Sequence, residues 1–199
     1  MTSNSMLISG FFTEEDCISI KSFSKELDSY ANNVGIQNWA GIPMQSSFDY
    51  MNVEAITIAY TLLSSLLLNG SYDLLKAFII RVWRIISIRS PKEKAIPFTI
   101  SIEGIPTVDG PNVINCKIQG CLSDEQKAIA VDKTFQIAEQ IEKHHFQLMK
   151  TYYTERCGHL FRYDTNKGEY AEADMYAEIQ EKINQRKKAQ SHEDPGGKD

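Results

Sequence analysis

Cysteine is scarce in this chain. Four residues, Cys17, Cys116, Cys121 and Cys157, are scattered at irregular intervals along 199. That excludes a disulfide framework and points to free thiols in a reducing compartment. A basic surplus is also missing. The formal net charge is -5, which argues against a dedicated nucleic-acid binder, because phosphate contacts need a concentration of Lys and Arg. No G-x-S-x-G, P-loop or dinucleotide-binding glycine pattern occurs, so the nucleophile and cofactor arrangements they mark are not expected. No internal repeat is present. The first residues form no basic, apolar leader, and the acids Glu14, Glu15 and Asp16 follow soon after. A cytoplasmic setting is therefore expected, and the Asn69-Gly70-Ser71 sequon is read as coincidence.

Apolar residues make up 42 % and charged residues 24 %. Those proportions suit one globular domain with a buried core. The expected domain covers residues 6–183, and a disordered polar tail covers 184–199.

Periodicity divides the domain into elements. Residues 6–12 are short and apolar and read as a short strand or a hydrophobic lead-in. Thr13 is an expected N-cap with Asp16 at the box position, followed by a helix over 14–31. Residues 32–51 hold paired asparagines, glycines and Pro43, and read as a loop packed on the core through Trp39 and Phe48. The most apolar stretch, 53–68, alternates first and then becomes a leucine run; periodicity alone does not settle it, and a strand passing into a helix is one arrangement it allows. Residues 73–88 give an amphipathic helix. Residues 98–103 and 113–118 alternate as an antiparallel pair. Ser123, with Gln126 three residues on, caps a long helix expected to reach Tyr152. Residues 159–163 and 169–171 flank a tight turn with Gly168 at positive φ. A final helix is expected over 173–188. The fold class is α+β: a small antiparallel sheet packed against two or more helices, with one long helix in the C-terminal half.

Candidate chemistry is thin. His144, His145, Cys157, His159, Cys116 and Cys121 are the available soft ligands, and their spacing does not give four convergent zinc donors. Asp164 to Gly168 begins like a calcium loop, but its glycine is one position early and Met175 stands where glutamate is needed. No metal and no cofactor are expected. Cys157 with His159 is the nearest approach to a nucleophile–base pair, and Glu172 with Asp174 reads as solvated surface. No enzymatic activity and no small-molecule substrate are inferred.

The leading expectation is a non-catalytic interaction or regulatory module that binds a protein partner or a second copy of itself. Its candidate interaction residues are Trp39, Phe48, Arg81, Trp83 and Arg84. Two other readings stand beside it. One is a peripheral or single-pass membrane protein anchored through residues 55–83, since an uncharged run of about 18 residues approaches the spanning length. The other is a small metal-dependent or cysteine hydrolase around the histidines.

Overall fold

The computed structural model describes residues 5–27, 31, 33–39, 54–89 and 97–192. The elements are β1 (Ser5–Gly10), α1 (Glu14–Ser24), a 3-10 turn (Lys25–Leu27), β2 (Asn33–Asn38), β3 (Glu54–Ala59), α2 (Tyr60–Leu68) and α3 (Tyr72–Arg89). After these come β4 (Phe98–Ile105), β5 (Asn112–Ile118), α4 (Asp124–Glu142), α5 (Tyr152–Cys157), β6 (His159–Asp164), β7 (Glu169–Ala173) and α6 (Met175–His192).

The expected small antiparallel sheet is corrected. The described residues form one seven-stranded mixed sheet in the order β2-β1-β3-β4-β5-β6-β7. Parallel pairs alternate with antiparallel ones. β1 with β2, β3 with β4, and β5 with β6 run parallel. β1 with β3, β4 with β5, and β6 with β7 run antiparallel. Each parallel pair needs a crossover that returns the chain to its starting edge. The helices supply them: α1 from β1 to β2, α2 with α3 from β3 to β4, and α4 with α5 from β5 to β6.

Register sorts the side chains between two faces. Met6 and Ile8, Ile56 and Ile58, Ile100 and Ile102, and Ile114 and Cys116 sit opposite one another in neighbouring strands. With Phe98, Ile118 and Phe161 they form one buried face. The helices α1 to α4 pack into the same core. Leu160 points the other way, and there Met175 and Ile179 of α6 make a second, smaller core beside α5.

Most of the apolar middle of the chain is hidden by this arrangement, while Leu67 and Leu68 at the end of α2 stay exposed. The run divides at Ala59 into a strand and a helix, one of the arrangements its change of period left open. Leu62, Leu63 and Leu66 are buried in the main core, and each contributes about 1.5–3 kcal/mol. No helix among the described residues is long and apolar enough to cross a membrane.

Local signals at several ends hold. The Thr13 hydroxyl accepts from the Asp16 N–H at 3.2 Å, and the Asp16 carboxylate accepts from the Thr13 N–H at 2.7 Å. Ser123 and Gln126 make the same reciprocal pair at 3.2 and 2.9 Å. Gly168 closes the β6–β7 turn at φ 68. Some expected elements and boundaries differ. Residues 33–38, read as loop, are the edge strand β2. The helix beginning at Asp124 stops at Glu142, not Tyr152. The last helix runs to His192, past the tail boundary set at 184.

Candidate functional site

Among the described residues, the expected interaction residues Trp39, Arg81, Trp83 and Arg84 each have partners within the fold. Trp39 follows β2, donates its N–H to the Gly10 carbonyl at 2.8 Å, and sets its ring edge-on to Phe11. Phe48 lies outside the described residues. On α3, Trp83 is only 4 % exposed and stacks on Phe98 with centroids 4.6 Å apart. Arg81 pairs with Glu26 at 2.7 Å and lies over the Phe23 ring. Arg84 pairs with Asp124 at 2.6 Å. That guanidinium, with the Lys127 ammonium, holds the Asp124 carboxyl below its ordinary range. The basic face of α3 thus clamps the helix between the 3-10 turn region and the first turn of α4.

A different site appears where α4 ends. The His145 N–H donates to the Gln140 carbonyl at 2.8 Å, and the His144 N–H to the Ile141 carbonyl at 3.0 Å. These two bonds form a Schellman stop, a motif that places one residue in the left-handed region, usually glycine. Here that residue is His144 at φ 58. Histidine tolerates this region better than most side chains but still carries strain. The turn ends the helix although Leu148, Met149 and Tyr152 continue its apolar spacing. Both His144 and His145 are exposed, and neither sits on a helix face as the longer helix would have required.

The chain then folds back toward the sheet. Met149 donates its N–H to Glu172 Oε2 on β7 at 2.9 Å. Lys150 pairs with Asp109 in the β4–β5 connection. Thr151 caps α5, and Gly158 turns the chain into β6 at φ 80. The Asn115 side-chain amide holds the turn by donating to the Cys157 carbonyl at 3.2 Å. His159 follows at the start of β6. Its Nδ1 lies 2.7 Å from Glu172 Oε1, and both side chains are 6 % exposed. Glu172 is therefore buried and paired, not solvated surface. Its presumed companion Asp174 instead accepts from the Tyr176 and Ala177 N–H groups at the head of α6.

Between these segments lies a cleft of about 1210 Å³. His144, His145 and His159 all line it, with Glu155, Val108 and Met149 among their neighbours. A second recess of about 370 Å³ is lined by Ser101, Asn115, Arg156 and Cys157. Thr154 and Glu155 of α5 border both. Cys157 lines the smaller recess and packs against the α6 core, while His159 gives its Nδ1 to Glu172. No group of three or more His, Cys, Asp or Glu side chains among the described residues is placed to hold a metal ion. Cys116 lies within the sheet core, where burial pushes its thiol up to about 12. It is a packing residue, not a thiolate ligand.

Of the histidines named from the sequence, three converge. The dyad that anchors them was missed because Glu172 is separated from His159 by the β6–β7 turn. An acid diagonal to a histidine across a tight hairpin, with Glu172 opposite Phe161, was the available signal. Compared with protein-family models, curated proteins and solved structures, the chain matches none.

Proposed function

We propose that the chain is a non-catalytic interaction module whose receiving surface is the histidine-lined cleft between the end of α4, the β4–β5 connection and α5. The observation that carries this reading is the convergence on one hollow of three separate segments, one of them stopped by His144 in a strained conformation. Strain retained in a folded chain directs attention to function at that position.

The occupant that suits the cleft is an extended segment of a protein partner. Its volume of about 1210 Å³ exceeds the roughly 300–1,000 Å³ of most small-molecule pockets. Its lining mixes polar groups with apolar side chains left in water. Val108 is 82 % and Met149 40 % exposed, and partner binding would remove both from solvent. Trp83, Arg81 and Arg84 have no part in this reading, since their neighbours already engage them.

Site-specific photocross-linking in cells tests it. A photoreactive phenylalanine analogue replaces Val108, Met149 or, as a control, Ile18 on the exposed side of α1. Discrete adducts with one protein from the first two positions and none from the third are expected. No adduct from either cleft position, or an adduct from position 18 alone, removes the proposal.

A further inference from the structure

The polarity of the cleft is set by the hydrogen bonds of Glu172. Both of its carboxylate oxygens are engaged, Oε2 by the Met149 N–H at 2.9 Å and Oε1 by His159 Nδ1 at 2.7 Å. The Met149 amide can only donate. An ionised carboxylate can only accept, so in the neutral imidazole the ring proton belongs on Nδ1. A carboxylate behind a histidine fixes the tautomer in this way and leaves the far nitrogen bare. His159 lines the cleft, and Nδ1 faces Glu172 at its back.

The charges around the opening agree with an acceptor surface. Lys150 is paired with Asp109. Glu155 is exposed, lines the cleft and has no ion-pair partner among the described residues. Glu172 adds a second acid behind His159. The group left uncompensated there is the Glu155 carboxylate, beside an imidazole lone pair, in a chain whose net charge is already -5.

We infer that the cleft carries a hydrogen-bond acceptor site, made of His159 Nε2 and the Glu155 carboxylate, that takes a protonated amine or guanidinium group. The inference rests on the cleft being the receiving surface. It adds the recognition chemistry, a lysine-like or arginine-like group on the incoming segment. Guanidinium suits the site because it is a donor only and can bridge two acceptors.

Long-range proton–nitrogen NMR of the isotope-labelled full chain, in mildly alkaline buffer, tests this. Substituting the other histidines one at a time assigns the His159 signals without touching that residue. The expected result is an Nδ1-protonated ring with an unprotonated Nε2. Adding methylguanidinium should shift the Nε2 resonance, sodium acetate at matched ionic strength should not, and Glu155→Gln should weaken the shift. An Nε2-protonated ring overturns the inference. So does a shift caused by acetate in place of methylguanidinium, or no shift from either. The tautomer is read on the free protein, so its outcome is independent of whether photocross-linking captures a partner.

Discussion

Gly158 approaches Val113 so closely that a Cβ added to it would lie 2.4 Å from the Val113 carbonyl oxygen and 2.7 Å from its Cβ. Its backbone, φ 80 and ψ -174, falls in a region essentially reserved for glycine. The next residue is His159, so this contact seats the histidine against β5. Gly158→Ala must strain the backbone and displace β5 or β6. Backbone strain costs about 1–3 kcal/mol, and overpacking about 1–3 kcal/mol more. Urea unfolding should show a loss of several kcal/mol. An alanine variant within about 0.5 kcal/mol of wild type would mean that the approach is not tight.

His144 gives the opposite sign. Glycine is the residue that a Schellman stop prefers, and it removes the left-handed penalty of about 1 kcal/mol. His144→Gly should raise the urea midpoint with an unchanged slope, while His144→Val should lower it. If the imidazole serves the partner, the stabilised glycine variant should also give less cross-linked adduct from position 149. A stability loss on introducing glycine would show that His144 is held by favourable contacts.

The contrast between these two positions marks what could be read in the chain beforehand. Thr13, Ser123 and Gly168 act through their own few neighbours, and short-range signals of that kind survived folding. Phe98 to Glu103 and Val113 to Ile118 are consecutive strands, and their pairing was legible for the same reason. The mixed sheet was not, because three of its six pairings are parallel crossovers joining strands far apart in sequence. β2 has only Val34 and Ile36 as apolar residues, with Gly35 between them, so its strand character was weakly marked and depends on pairing with β1. At the cleft, the histidines were visible, but their convergence depends on a helix stop with histidine where glycine is the usual sign. Glu172 looked like a surface acid until the β6–β7 hairpin set it against His159.

Trp83 and its flanking arginines make a third test, because the sequence presents them as one basic, aromatic patch. In the fold they differ in kind. Trp83→Ala removes a buried ring stacked on Phe98 and should cost about 3–5 kcal/mol. Arg81→Ala and Arg84→Ala break ion pairs whose side chains are substantially exposed, and each should cost within about 1 kcal/mol. Neither arginine change should alter cross-linking from position 149. Loss of the adduct in Arg84→Ala, with stability intact, would return α3 to consideration as the binding face.

The tyrosines predict how the fold ends at high pH. Burial and then the hydrogen bond to Glu142 push the Tyr60 hydroxyl well above its usual range. Burial and then the bond to Asp132, 2.5 Å away, do the same for Tyr72. Tyr170 is raised chiefly by burial, with its hydroxyl 2.9 Å from that of Thr134. A group whose folded pKa is raised gives its full stabilisation below the unfolded value, here about 10. That stabilisation is lost as the pH climbs from there toward the folded value, because the unfolded chain releases its proton first. Phenolate absorbance should therefore show a late, second phase in which Tyr60, Tyr72 and Tyr170 ionise together with loss of the near-ultraviolet circular dichroism signal. Tyr72→Phe should diminish the second phase and move it to higher pH in proportion to the tyrosine removed. A single smooth titration with the dichroism intact would mean that these hydroxyls reach water while the sheet and α4 are still packed.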